Sequence, residues 1–146
     1  MDKNYPELRP WGKLVGISGD LADVIVGVLS WASIAHGVAI ISLTDFYLRF
    51  IQLSKEFPDQ IQDLQAVTRR SALGNFLFST RLCDSLEAAL NLGIRIQGDG
   101  RSLYMPVETS RANLDRLRKR LGDEFVNELK PLCDRFSELV REGDIQ

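Results

Sequence analysis

The sequence predicts a mainly α-helical fold with one β-hairpin. Three observations lead to this fold class. The 146 residues are 45% hydrophobic and 26% charged, which is the composition of one ordinary globular domain. Apolar residues recur at helical spacing over most of the chain. A single stretch instead alternates apolar and polar residues around the glycine-rich residues 98–100, as a hairpin does.

Four helices are expected before the hairpin. The first covers residues 13–37, and the second begins at Thr44, whose hydroxyl can cap free backbone N–H groups. A third begins at Pro58, a residue that suits a first helical position, and ends around residues 70–74. A fourth is capped by Ser79 and stopped by Gly93.

The first helix also raises the alternative of a membrane span. Residues 21–43 carry Asp23 as their one carboxylate and are long enough to cross a bilayer. Small and polar residues nevertheless recur along one side of this segment, which favours a helix packed closely against another helix. These residues are Asp23, Gly27, Ser30, Ser33 and Gly37.

The hairpin consists of residues 94–97 and 101–107, and a long helix capped by Ser110 follows it. An apolar row, here called the C-terminal seam, runs along this helix and is interrupted only at Gly122 and Pro131. An isolated helix would expose this row to water, so we interpret it as the interface of a homodimer. The alternative is a bundle within one chain. The seam includes Leu117, Leu121, Phe125, Leu129, Leu132 and Phe136.

Two short helices followed at once by a hairpin form a winged helix-turn-helix, which predicts a DNA-binding protein. The fourth helix would enter the major groove with Ser79, Thr80 and Arg81 in its first turn. At the wing tip, Arg101 would reach the adjacent minor groove. Two further arginines end the third helix and either clamp phosphate or bind the last helical carbonyls. They are Arg69 and Arg70.

Several segments resemble the MarR family of bacterial transcription regulators. Residues 42–46 are similar to the start of the family's second helix, and residues 72–74 and 79–82 to its turn and recognition helix. The pair Asp99 and Arg101 matches the family's Asp-x-Arg wing. The resemblance implies one domain over residues 1–146.

The same resemblance implies how this domain is divided and what it does. Residues 42–108 would form the winged helix-turn-helix, and residues 13–40 and 110–142 the dimerisation region. A homodimer would repress transcription from a near-palindromic DNA operator, and a small-molecule effector or an oxidant would relieve the repression. In the wing, Asp99 would help to position Arg101.

Charge gives this hypothesis little support. The net charge is −2 and the pI about 5.4. Between residues 58 and 110, five arginines stand against six carboxylates, which predicts weak background binding to DNA. The alternative is a dimeric adaptor that keeps the winged fold but has lost DNA binding, which the apolar residues 76–78 also favour.

Other classes of function fit the sequence less well. No Ser-His-Asp set and no phosphate-binding glycine loop can be assigned, so we expect no enzyme and no cofactor. Two cysteines and His36 do not make a usual zinc set, although Cys83 or Cys133 could serve as a redox-sensing thiol. The N-terminus does not read as a signal peptide, and the expected location is the cytoplasm, away from membranes.

Overall fold

The structure, a computed structural model, describes residues 20–72, 74–97 and 100–145. In this part of the chain the helices are α1 (Leu21–His36), α2 (Leu43–Glu56), α3 (Thr80–Leu90), α4 (Val107–Leu121), α5 (Asp123–Glu128) and α6 (Lys130–Ile145). The strands are β1 (Ile40–Ser42), β2 (Val67–Ser71), β3 (Gly74–Phe78), β4 (Arg95–Gln97) and β5 (Ser102–Tyr104). The fold is therefore mainly helical, as predicted, and it contains two small antiparallel sheets where one hairpin was predicted.

Helix α1 lies at the centre of the core, packed against α3, α4 and α6. Its ends are well defined. Asp20 and Asp23 form a reciprocal capping box at the start, and Gly37 ends the helix in the left-handed conformation with φ 71°. The predicted first helix is confirmed from Leu21 to its end, while residues 13–19 lie outside the described part.

The small and polar side of α1 is a contact between helices, as its spacing indicated. A Cβ atom at Gly27 would lie 2.3 Å from a methyl group of Leu129, so any larger residue here would require the buried Leu129 side chain to shift. Farther along, the amide of Asn113 on α4 donates to the hydroxyl of Ser30 at 3.3 Å. Among the described helices, none combines the length and the apolar character that crossing a membrane requires.

Helix α2 begins one residue earlier than predicted and has a different cap. The Ser42 hydroxyl accepts a hydrogen bond from the backbone N–H of Asp45 at 3.1 Å, so Ser42 and not Thr44 is the cap. The preceding residues form β1, a strand that the sequence analysis did not predict.

The predicted third helix, over residues 58–70, is wrong. A turn at residues 58–60 leads into an irregular segment, residues 61–66, followed by the antiparallel hairpin of β2 and β3. Ile61 and Leu64 are spaced as on a helix, but each is buried separately and anchors the irregular segment. The hairpin is held by Phe78, whose ring centroid lies 5.4 Å from that of Tyr47 on α2. Consequently α2 and α3 are not joined by the tight turn of a helix-turn-helix.

The one predicted hairpin, over residues 94–97 and 101–107, is confirmed. Strands β4 and β5 pair in antiparallel fashion, and β1 pairs with the other edge of β5. The strand order is thus β1-β5-β4. A further tie fixes the tip of the β4–β5 hairpin, because the Arg101 carbonyl accepts a hydrogen bond from the N–H of Leu43 at 2.7 Å.

The predicted long C-terminal helix is divided into α4, α5 and α6. Ser110 does not cap it, because α4 already begins at Val107 and the Ser110 side chain is buried. The division occurs at Gly122, which has φ 97°, and just before Pro131, the second residue of α6. Both residues are unfavourable in a helix interior, although Pro is tolerated in a first turn.

The C-terminal seam lies inside a single chain. Its residues are almost fully buried, except for half-buried Leu121. Phe136, for example, has ring centroids of Phe46 and Phe50 at 6.5 and 6.1 Å. This corrects the interpretation of the seam as an interface between two copies. The residues concerned are Leu117, Leu121, Phe125, Leu129, Leu132 and Phe136. A homodimer stays a prediction, without the seam as its basis.

Candidate nucleic-acid interface

Helix α3 stands between the two hairpins with one face in the core and the other exposed. Leu82, Leu86 and Ala89 are buried at helical spacing against the rest of the domain. The opposite face is open to solvent, so α3 is not covered by other elements of the described chain. This exposed face carries Thr80, Asp84, Glu87, Ala88 and Asn91.

Ser79 positions α3 but offers nothing to a partner. Its hydroxyl donates to the carbonyl of Leu64 at 2.6 Å and accepts from the N–H of Leu82 at 3.0 Å. The side chain is completely buried, so the predicted contact of Ser79 with DNA is wrong. The serine instead connects the irregular segment of residues 61–66 to the start of α3. Its neighbour Thr80 is exposed at the first helical position.

Arg81 is half-buried in the first turn of α3, beside the irregular segment of residues 61–66. Its Nη1 atom donates to Oε1 of Gln62 at 3.4 Å, a long bond that leaves most of the five guanidinium donors for other partners. The first turn of α3 therefore presents one hydroxyl and one cation.

Arg69 and Arg70 lie on strand β2 and not at the end of a helix. Their interpretation as ligands of terminal helical carbonyls is accordingly wrong. The Arg69 guanidinium carbon is 4.4 Å from the centroid of the Phe78 ring, a cation–π contact on one face of the hairpin. Arg70 lies opposite Asn75, and both are exposed at the far end of the hairpin.

The β4–β5 hairpin carries two exposed arginines. Arg101 lies just before β5, and its backbone is tied to the start of α2 as described above. Asp99, its predicted companion, lies outside the described residues. Arg95 is exposed on β4 opposite Tyr104. It was not among the predicted site residues, although its position as a polar residue in the alternating run 94–97 indicated that its side chain is exposed.

The charges of this surface are segregated. Arginines stand on the hairpins before and after α3, and Asp84 and Glu87 on the exposed face of α3 itself. On the buried side of α3, burial raises the pKa of Tyr47, and the Cys83 side chain adds to this rise through a hydrogen bond. Tyr47 is therefore an uncharged phenol beneath the helix at neutral pH.

An open groove of about 450 Å³ lies beside the sheet, where β1 and the start of α2 meet the end of α6. Ile40, Leu48 and Val140 form its apolar lining, and Asp45 its charged edge. This volume lies in the range of small-molecule sites, so the groove is a candidate place for the predicted effector. The sequence does not predict this groove, because three separate elements form it.

Comparisons with protein-family models, with curated proteins and with solved structures find no match to this chain. The resemblance to the MarR family stays a prediction.

Proposed function

We propose that this protein is a DNA-binding regulator of the winged-helix type, in which α3 and the two hairpins beside it contact the duplex. The observation that carries the proposal is the strand order β1-β5-β4, together with the exposed outer face of α3. A winged helix has the same chain order: helix, strand, helix, recognition helix and hairpin, with the first strand paired to the last. The β2–β3 hairpin replaces the usual tight turn.

The arginines of the hairpins suit phosphate contacts. Arg70 at the end of one hairpin and Arg101 at the other lie on opposite sides of α3 in the chain, and both are exposed. Phosphate contacts of this kind fix the position of a protein on the duplex without reading sequence. Thr80 and Arg81, in the first turn of α3, are then the candidates for base contacts, since arginine can bind guanine through two donors.

The negative residues of α3 set a limit on this binding. Asp84 and Glu87 repel phosphate if they approach it, and the whole chain has a net charge of −2. We therefore expect weak non-specific affinity, and a loss of binding with salt whose slope follows the number of arginine–phosphate contacts. A two-fold pair on near-palindromic DNA, which the MarR resemblance implies, would have to use a surface other than the C-terminal seam.

An electrophoretic mobility-shift titration over a range of salt concentrations tests the proposal. The probes are the protein's own upstream DNA and random duplex. The double variant Arg70→Ala/Arg101→Ala should lose affinity for all sequences and reduce the slope of log K against log salt by about 2, one for each lost phosphate contact. Arg81→Ala should instead reduce the preference for the upstream DNA.

The matched control is Lys55→Ala/Lys119→Ala, which removes two exposed charges from α2 and α4. This control should bind DNA as the parent does. If it weakens binding as much as the arginine double variant, the interface is wrongly placed. If the parent shifts no duplex at low salt, DNA binding itself is refuted.

The acidic face of α3 favours a second candidate, a protein-interaction module. Asp84 and Glu87 are exposed together, and Val67 on the neighbouring hairpin is 50% exposed. Such a surface fits a basic protein partner better than DNA. Asp84→Asn/Glu87→Gln separates the two functions. It strengthens DNA binding if α3 faces phosphate, whereas an interaction module shows no DNA binding with or without these changes.

A further inference from the structure

A second cluster of chemically active side chains lies away from α3, where the end of α1 meets α6. His36 is the last residue of α1, and Gly37 turns the chain away directly after it. Cys133 and Asp134 follow each other in the early part of α6. In the described residues, these three form the one group of metal-ligating side chains that converges.

The ligand atoms of this group are close enough to share an ion. The imidazole nitrogen, the thiol sulfur and the carboxylate oxygen all lie within 4.8 Å of one another. The closest pair is Nε2 of His36 and Oδ1 of Asp134, at 2.8 Å. Cys133 is 1% exposed, whereas the His36 and Asp134 side chains are 23% and 61% exposed, so one side of the cluster is open.

We propose that His36, Cys133 and Asp134 bind a zinc ion, with water in the fourth position. The donor set of nitrogen, sulfur and oxygen suits borderline-soft Zn²⁺, and three protein ligands plus an open position are typical of accessible zinc sites. Charge is balanced as well, because one thiolate and one carboxylate neutralise the divalent ion. Zinc would connect α1 to α6 at the edge of the core.

The surroundings determine what must change when zinc binds. The thiolate is the form of cysteine that binds zinc, so the buried Cys133 thiol must release its proton to solvent when the metal binds. Lys130 and Arg141 place two positive charges near the three proposed ligands. An Arg141 Nη2 atom lies 3.3 Å from Nδ1 of His36.

This contact makes Arg141 a competitor of the metal. When Arg141 donates to Nδ1, the proton of a neutral ring is on Nε2, the nitrogen beside Asp134 and therefore the proposed zinc ligand. Zinc binding moves that proton to Nδ1 and displaces the Arg141 guanidinium, which is exposed and can turn into solvent. Arg141→Ala should therefore bind zinc more tightly than the parent, a change that a purely structural role of the cluster does not predict.

Titration of the purified full chain with Co²⁺, followed by absorption, tests the site. We expect one equivalent to produce a thiolate-to-cobalt charge-transfer band that Zn²⁺ abolishes. His36→Gln, Cys133→Ser and Asp134→Asn should lose or weaken the band, whereas the matched controls Cys83→Ser and Asp115→Asn should keep it. No band in the parent, or loss of the band in Cys83→Ser, overturns the proposal.

Thermal unfolding with and without Zn²⁺ provides a readout that does not depend on the thiolate spectrum. Zinc at about 100 times its Kd should raise the Tm of the parent by roughly 5–15 °C. His36→Gln and Asp134→Asn change partly exposed residues and decide the matter if Cys133→Ser does not fold. An equal Tm rise in His36→Gln and the parent refutes the site. The proposal is independent of DNA binding.

Discussion

Gly93 connects α3 to the β4–β5 hairpin in a backbone conformation that other residues rarely adopt. Its φ is 116°, and a Cβ atom there would lie 2.2 Å from Oδ1 of Asn113. Asn113 is itself buried and hydrogen-bonded to Ser30, so it has little room to move. This glycine therefore permits the close approach of the connection between α3 and the hairpin to Asn113, and these two elements belong to the proposed DNA interface.

We predict that Gly93→Ala lowers the free energy of unfolding by about 2–4 kcal/mol, from backbone strain and the collision with Asn113. Gly37→Ala is the matched control. Gly37 also has a positive φ, of 71°, but nothing lies within 4 Å of the added Cβ, so strain alone should cost about 1 kcal/mol. Urea unfolding measures both. Equal losses would show that Asn113 moves aside without cost.

Single residues also define what the sequence could predict about the site. Ser79 was correctly identified as a cap from its type and place before an apolar period. Its burial depends on the segment that contains Leu64, 15 residues earlier in the chain, whose carbonyl accepts a hydrogen bond from the Ser79 hydroxyl. Local spacing carries no information about this contact. Local propensity can therefore find a cap, but the choice between a cap and a DNA contact depends on tertiary packing.

Elements with strong local signals were predicted well. Helices α1, α2 and α3 combine capping residues with apolar periodicity, and β4 and β5 combine alternation with a glycine loop. The error at residues 58–70 arose because Ile61 and Leu64 have helical spacing by coincidence. Val67 and Thr68 are residues that favour strands, and this signal was available in the sequence. It was missed because residues 70–74 were interpreted as the end of a helix, whereas Gly74 is the first residue of the partner strand.

The contact of α2 with α6 includes an ion pair whose contribution depends on pH. Arg135 donates through Nε and Nη2 to the two carboxylate oxygens of Glu56, at 2.7 and 3.1 Å. These hydrogen bonds hold the pKa of Glu56 below the usual range of a glutamate. Because the folded-state pKa is the lower one, the pair stabilises the fold above the unfolded pKa, and the stabilisation is lost as pH falls through the folded value.

We predict that Glu56→Gln lowers the free energy of unfolding by about 0.2–1 kcal/mol at neutral pH, the size usual for a solvent-exposed pair. The difference from the parent should disappear at acid pH, below the lowered pKa. Glu128→Gln, an exposed carboxylate change on α5, is the control. A loss that persists unchanged in acid would mean that Glu56 acts through packing and not through its charge.

The whole molecule is organised around α1, with the C-terminal seam closing the core from one side. The sequence showed correctly that the seam must be buried, because its apolar row is too long to face water. It did not show which surface covers it. The answer depends on whether the helix is interrupted at Gly122 and Pro131. We predicted one long helix, but the chain turns at these positions and folds back on its own core.

We predict that Phe136→Ala lowers the free energy of unfolding by about 3–5 kcal/mol, because it opens a cavity between α2 and α6. Phe136→Leu should cost about 1 kcal/mol. For both variants, the difference in unfolding midpoint from the parent should be the same at low and at high protein concentration, since the seam belongs to one chain. A difference that changes with concentration would mean that the seam also holds two copies together, contrary to the intrachain core.

The central position of α1 has a consequence for synthesis. This nearly all-apolar helix leaves the ribosome first among the described elements, while α4 and α6, which shelter it, are translated last. The nascent chain must therefore keep a sticky segment from misassociating until residues beyond 130 have emerged. Fragments that stop before α6 are expected to aggregate or to be captured by chaperones, even though all five described strands are already present in them.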